Sequence, residues 1–201
     1  MELHHVAKAL EKNRYTVRLF STAAEAADYL AEAIRGQTVG FGDSETLDQM
    51  GLDWRLAACC TVRNPKRCAD TASFLETARA CLTTDVFITS ANALTEDGVL
   101  VNLDGTGNRV AGSLFGHRKV YYVVGRNKLV PDLEQAVWRV RNIAAPKNAH
   151  RLGLRTPCAL HGDRCYDCSS PDRICNGLLI ALKKMNDMEI EVLLIDQDLG
   201  F

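Results

Sequence analysis

Cys158, Cys165, Cys168 and Cys175 follow one another as C-x6-C-x2-C-x6-C, in a stretch dense with the turn formers Gly162, Asp163, Ser169, Ser170 and Pro171. Thiolates are strong ligands for soft and borderline metals, and a flexible loop lets four of them wrap one centre. That count fits a [4Fe-4S] cluster and a tetrahedral zinc ion alike. Structural zinc sites commonly pair their cysteines closely twice, whereas here only Cys165 and Cys168 form a close pair. The asymmetry favours the cluster; reduced, unligated thiols are a third state. His161 falls inside the loop and reads as a surface residue rather than a replacement ligand. A cluster held by four cysteines would transfer electrons or sense oxidation, and one held by three would expose an iron as a Lewis acid toward a hydroxy acid. The other four cysteines, Cys59, Cys60, Cys68 and Cys81, have apolar or helical neighbours and read as packing.

Three further segments carry residues suited to ligand chemistry. Gly40-Phe41-Gly42-Asp43-Ser44 follows a short apolar run, so the glycines allow close approach to the backbone and Ser44 either caps a helix or holds an anion. The segment from Thr89 to Gly98 gathers small polar residues, Asn92 among them, and ends in Glu96, a candidate general base or nucleophilic carboxylate. Taken alone, Glu96 reads more simply as a solvated turn residue ahead of Gly98. Asn102 to Arg109 combines Asp104, Gly105, Gly107, Asn108 and Arg109 in one loop. Arg109 is suited to clamp a carboxylate or phosphate through its planar fork, or to pair with Asp104 within a turn. A basic run, Arg139, Arg141, Lys147, His150, Arg151 and Arg155, precedes the cysteines and reads as a solvated face, as an offset to thiolate charge, or as an attractor of an anionic substrate.

These segments need a scaffold, and the apolar pattern describes one. Residues 22–35 carry Ala23, Ala27, Leu30 and Ile34 on one helical face behind a Ser21 or Thr22 cap. Thr38–Phe41 reads as a strand, 45–50 as a brief helix stopped at Gly51, and Cys59–Val62 as a strand. Thr71–Leu82 has helical spacing, and Asp85–Thr89 is a buried-type strand. Val99–Leu103 reads as a strand adjacent to it across the Glu96-Asp97-Gly98 turn. Lys119–Gly125 is a strong strand, Pro131 opens the first turn of a helix, and Leu178–Leu182 with Glu191–Ile195 reads as a late edge hairpin. Strand–helix alternation predicts an α/β fold, a mostly parallel sheet flanked by helices, with ligands beyond the carboxyl ends of its strands.

The 201 residues, 47% hydrophobic with a net charge of −1, fit one domain, 1–201, in which 146–201 is a cysteine-rich loop and C-terminal hairpin appended to it. Nothing global in the charge points to nucleic acid, and the basic run lacks the interleaved aromatics of a single-strand binder. No apolar run approaches the ~20 residues that span a bilayer. Met1–His5 has no basic region leading into an apolar one, so no signal peptide is expected and the chain is placed in the cytoplasm, where stable disulfides are rare.

The run TSANALTEDGVLVNLDGTGNRVAGSLFGHRKVYYVVG, from Thr89 to Gly125, resembles the LUD-domain family, including its lactate-utilisation protein C group, and the likeness continues through Arg141–Pro146 to the closing LLIDQDLGF. The resemblance implies the sugar-isomerase/CoA-transferase-like α/β fold, related to ribose-5-phosphate isomerase. In that superfamily the loop resembling Gly40–Ser44 contacts the ligand, and Glu96 is placed like the nucleophilic carboxylate of CoA transferases. It also implies a link to lactate oxidation through partner iron–sulfur oxidoreductase subunits, with the cysteine tail resembling a standalone subgroup. The expected ligand is a small anionic metabolite, a hydroxy acid or a phosphorylated compound. A regulatory or assembly subunit that senses redox state without turnover, and a structural zinc site on a ligand-binding domain, are the alternatives. A homodimer is compatible with all of these.

Overall fold

The computed structural model of the chain describes residues 2–201; Met1, part of the N-terminal stretch read above, lies outside the described residues. In chain order the elements are α1 (Leu3–Lys12), β1 (Thr16–Phe20), α2 (Ala23–Ala33), β2 (Thr38–Phe41), α3 (Glu45–Gln49), α4 (Leu52–Ala57), β3 (Thr61–Arg63), α5 (Thr71–Cys81), β4 (Val86–Thr89), β5 (Ala93–Thr95), β6 (Leu100–Asp104), α6 (Asn108–Leu114), β7 (Lys119–Gly125), β8 (Leu129–Val130), α7 (Leu133–Arg139), α8 (Ala145–Arg151), α9 (Pro157–His161), β9 (Gly177–Ala181) and β10 (Glu189–Ile195). Six strands form a parallel sheet in the order β1-β10-β7-β4-β2-β3, and a smaller mixed sheet runs β8-β5-β6-β9. The α/β class expected from the sequence is the class observed.

Helices cover both faces of the large sheet, so its central strands are apolar on both sides. Along β10, Ile190, Val192 and Leu194 join the core beneath α1, while Leu193 and Ile195 join the core beneath α2, α3 and α4. Along β7, Val120, Tyr122 and Val124 divide from Tyr121 and Val123 in the same way. Local signals set the helix starts. Thr22 and Glu25 form a reciprocal capping box on α2, and Asp70 and Ser73 do so on α5.

Three expectations are corrected, and two elements are added. β9 and β10 do not pair as an edge hairpin: β9 lies at the edge of the small sheet, while β10 inserts between β1 and β7 in the large one. The continuous apolar run of β10 is that of a central parallel strand, and the run was the evidence for its place. β6 does not neighbour β4. The chain leaves the large sheet after β4, and β6 pairs with β5 and β9. Pro131 precedes the helix rather than opening it, because Asp132 takes the cap and accepts the Gln135 N–H at 2.8 Å. Finally, α1 and β1, unread in the sequence, supply an edge strand and a covering helix.

From α7 the helix continues through a wider π turn, Val140–Ala144, into α8. Pro146 lacks an N–H and its ring crowds the preceding turn, and a local widening is how a helix absorbs that defect. The widened segment passes close to the carboxyl end of the large sheet.

Candidate functional site

The carboxyl ends of β2, β4, β7 and β10 deliver one residue set to a common cavity. It is lined by Ser44 after β2, Ser90 and Asn92 after β4, Lys128 after β7 and Phe201 after β10, with Arg109 from α6 and Asn148 from α8. Its free volume is ≈ 40 Å³, room for roughly three water-sized bodies or one small anionic group, and too little for a nucleotide.

Lys128 dominates the electrostatics. It is 3% exposed, and its Nζ donates to the Ser90 hydroxyl at 2.8 Å and to the Thr46 hydroxyl. Among the described residues no carboxylate lies within ion-pair distance of it. Burial, followed by the nearby Arg139 and Arg109 guanidiniums, drives its pKa well below that of an ordinary lysine. Arg139 is buried as well and donates only to backbone oxygens, those of Asn92, Asn127 and Phe201; burial pushes its pKa down. Arg109 donates to the Leu103 carbonyl at 2.7 Å, stands 3.9 Å from Asp104, and keeps its Nε buried with no partner. Such orphaned donors are rare in folded proteins and call for an explanation. The acidic residues of the lining are Asp43, which makes no ion pair among the described residues, and Glu45, which is held by Lys66 at 2.7 Å and Arg151 at 3.3 Å.

Of the residues selected from the sequence, Ser44, Asn92 and Arg109 come together as expected. Asn92 stays oriented because its Oδ1 accepts the Leu103 N–H at 2.9 Å. Gly42 serves the site indirectly: a Cβ there would stand 3.1 Å from Arg109 Cγ and 2.7 Å from Thr89 Oγ1, so the glycine lets Arg109 cross beneath the loop. Asp104 is a scaffold group whose carboxylate accepts the N–H groups of Gly105 and Val110, at 2.9 and 3.1 Å. Gly107 takes the left-handed conformation, φ 88°, that starts α6, and Asn108 is the first residue of that helix.

Gly42, Asp104, Gly105, Gly107 and Asn108 thus stand behind the lining rather than in it, and Gly40 and Glu96 lie farther from it. Gly40 faces α5, where a Cβ would strike Thr84 Oγ1 and the Cys81 carbonyl. Glu96 lines a separate cleft with Asn13, Asp97, Pro131 and Lys183, because the β5–β6 turn points away from the carboxyl ends of the large sheet, toward α1. The shared pocket expected to include Glu96 therefore forms without it.

Lys128, Thr46 and Ser90 were not singled out in the sequence. Their signal was positional, since Ser90 directly follows β4 and Lys128 follows β7, at the strand ends where open α/β sheets bind ligands.

The basic run divides on folding. Arg139 is buried beside the cavity, Arg151 holds Glu45, and Arg141 reaches Asp167 at 3.1 Å and the Cys165 thiol at 3.8 Å. Lys147 and His150 line a wider neighbouring cleft that shares Glu45 and Phe201 with the cavity.

All eight cysteines are free thiols. Cys59, Cys60, Cys68 and Cys81 are packed within the sheet and its helices, donating to nearby carbonyls or, for Cys68, to Thr77. The four tail cysteines are partly buried. Burial pushes the Cys175 thiol up in pKa, Arg173 pulls it down, and Cys165, Cys168 and Cys158 push it up, which puts those three within electrostatic reach of Cys175. The donor chemistry suits a cluster or zinc. Among the described residues, however, no group of three or more His, Cys, Asp and Glu side chains is arranged to hold a metal ion. His161 is exposed at the end of α9 and packs against Tyr166.

The tail touches the cavity through backbone contacts rather than thiols. Asn176 donates from its N–H to Asp104 O at 2.9 Å, and Ile174, next to Cys175, lines the cavity. A Cβ on Gly105 would stand 2.9 Å from Ile174 Cα, so this glycine permits the approach. No tail thiol lines the cavity; Cys165 opens instead onto a surface cleft with Trp138 and Arg141.

Among the described residues no helix is long and apolar enough to cross a membrane. A comparison with curated proteins found no match. The structure is similar to that of a DUF162 family protein from Deinococcus radiodurans, with a TM-score of 0.52 and 15% identity over 96% of this chain and 95% of that one, a likeness that speaks for the fold. The family profile described as the LUD domain matches residues 3–195, and the chain belongs to that family.

Proposed function

We propose that this chain binds a small anionic metabolite, a hydroxy acid or a phosphorylated compound, in the cavity at the carboxyl end of its large sheet, in a role related to lactate utilisation. The observation that carries the reading is the cluster of basic side chains at the cavity, Lys128 with Arg109 and Arg139, in which Lys128 has only hydroxyl partners and both guanidiniums oppose its protonation. Burying a cation without a counter-ion is costly, and an anionic ligand supplies the missing charge. Arg109 Nε supplies a donor that lacks an acceptor. LUD-domain membership supports the link to lactate, and the cysteine tail resembles that of a standalone subgroup rather than the partner-dependent form.

Cys158, Cys165, Cys168 and Cys175 are the residues that would hold a [4Fe-4S] cluster, and such a group would supply one-electron transfer. Because no tail thiol lines the cavity, this reading places the centre as an electron relay, a redox sensor or a structural staple rather than a Lewis acid on the ligand. Iron–sulfur oxidoreductase subunits are the partners it implies.

Two measurements test the two halves. Calorimetric titration with lactate and with inorganic phosphate is expected to show binding that Arg109→Gln weakens; no binding of either anion would overturn the pocket. Oxygen-free purification is expected to yield about four iron and four sulfide per chain, lost in Cys165→Ala. A colourless, iron-free protein with four titratable tail thiols would remove the cluster, and zinc without iron would leave the structural staple.

A further inference from the structure

We propose that Lys128 is a carbonyl-reactive amine that condenses with a 2-oxo acid held in the cavity by Arg109, forming an imine. The proposal rests on the anion-binding reading above and adds to it a covalent step and a substrate class.

The hydrogen-bond inventory around Nζ carries the argument. Two acceptors face it, the hydroxyls of Thr46 and Ser90. A neutral primary amine has two N–H donors and one lone pair. Both donors are therefore matched and the lone pair is left over. An ammonium in the same place would hold a third N–H with no partner at 3% exposure, a costly arrangement. The surroundings agree with the neutral form, because Arg109 and Arg139 are the charges that act on the amine and both oppose its protonation. Gly200, at φ 66°, lies where a Cβ would stand 3.2 Å from Nζ and closer still to the Thr46 hydroxyl.

The geometry assigns separate tasks to the lining. Arg109 offers its unpartnered donor to the carboxylate of the ligand, and the adjacent carbonyl carbon is then within the same small cavity as Nζ. A 2-oxo acid carries these two groups on neighbouring carbons, and the space suits a short one. The lone pair of Nζ attacks the carbonyl carbon and a C–N bond forms. The two amine hydrogens leave with the former carbonyl oxygen as water, and the C=N bond closes. No oxidant or reductant is consumed. Ser90 and Thr46, themselves joined by a 3.2 Å hydrogen bond, are placed to relay those protons. A 2-hydroxy acid has the carboxylate but no carbonyl, so it occupies the cavity without reacting.

The test uses the full chain and pyruvate as the probe 2-oxo acid, with sodium borohydride added to reduce any imine to a stable secondary amine. Peptide mapping by mass spectrometry then locates the adduct. The expected result is modification at Lys128 in preference to exposed lysines such as Lys8, Lys12 and Lys147, and its absence from Lys128→Arg. An unmodified Lys128, or labelling spread evenly over the exposed lysines, would overturn the proposal without reference to any variant. Thermal unfolding with lactate and with pyruvate is run in parallel. If both anions stabilise the protein and Lys128 stays unmodified, the imine is refuted and the anion site stands. If neither stabilises it and no adduct forms, both readings fail.

Discussion

Replacing Lys128 with Met tests whether the amine is held for function at a cost to the fold. Met fills nearly the same unbranched volume. The substitution removes two hydrogen bonds, worth ~1 kcal/mol each. Their loss is cushioned, because Ser90 already donates to Thr46 at 3.2 Å and both hydroxyls keep a partner. Against this stands the removal of a basic group whose charged form burial penalises, and replacing buried ionic groups by apolar residues of similar volume stabilises proteins by ~1–4 kcal/mol. The expected net effect is a gain of about 1–2 kcal/mol in the anion-free protein, or about 2–8 °C in Tm for a chain of this length. The pH dependence gives an independent sign. The folded-state pKa of Lys128 is depressed, so the unfolded chain binds the extra proton and wild-type stability rises with pH toward the ordinary lysine value of ~10.4. The Met variant lacks that rise, so its advantage is largest near neutral pH and fades in alkali. Anion addition separates them further: at a hundredfold excess over Kd the wild type gains ~2.7 kcal/mol and the variant gains nothing. Thermal unfolding across this pH range, with and without phosphate, reads all three effects. A variant less stable than wild type by more than ~2 kcal/mol, with its anion response intact, would show that Lys128 is a structural tether between the Thr46 and Ser90 loops.

Four other outcomes follow from the same structure. Gly112→Ala drives a Cβ to within 2.6 Å of the Phe87 ring, so overpacking is expected to cost ~1–3 kcal/mol in urea unfolding and to loosen α6, which carries Arg109. For Glu191→Gln, burial raises the carboxyl pKa, but Lys119, Tyr29 and Arg18 outweigh burial and hold it below its usual value. The wild type is therefore expected to exceed the variant by ~1.5–3 kcal/mol near neutral pH, with the advantage lost as pH falls through the depressed carboxyl pKa, below ~4.3. Glu96→Gln is expected to leave anion affinity within about twofold, since a residue in a separate cleft contributes additively. Gly105→Ala pushes against the Ile174 backbone and is expected to speed proteolysis of the cysteine tail and weaken anion binding; tail resistance and affinity both unchanged would refute the contact.

The large sheet was legible where its strands are continuous apolar runs and its helices open on capping residues. Thr38–Phe41, Lys119–Gly125 and the Thr22-capped helix appear within a residue or two of where the pattern put them. Pairing was harder, because periodicity reports which faces are buried and says nothing of the neighbour. That is why β9 and β10, close in sequence, were joined as a hairpin although they belong to different sheets. Within the site, Arg109, Ser44 and Asn92 were found because their loops have unusual composition. Lys128 was missed because a lysine between strands is ordinarily a solvated residue. Only the three-dimensional closure of the β2, β4 and β7 ends over it makes it buried. Glu96 was drawn in by likeness of motif, and turn direction moved it to another cleft.

The treatment of buried charge distinguishes the cavity from the rest of the molecule. Asp53 is paired with Arg67 at 2.6 Å, Glu191 with Arg18 and Lys119 at 2.8 and 2.9 Å, and Asp104 is satisfied by two backbone N–H groups. Those charges obey the rule that a group taken out of water must find its complement. Among the described residues Lys128 and Arg139 have no side-chain carboxylate as partner, and Arg139 adds to the burial that disfavours the charged form of Lys128. Both lie at the same end of the sheet, around the one cavity that the strand ends build together. A pairing defect scattered at random would be a packing accident. Two such basic groups, beside an unpartnered Arg109 Nε, are the ground on which the proposed anion site rests.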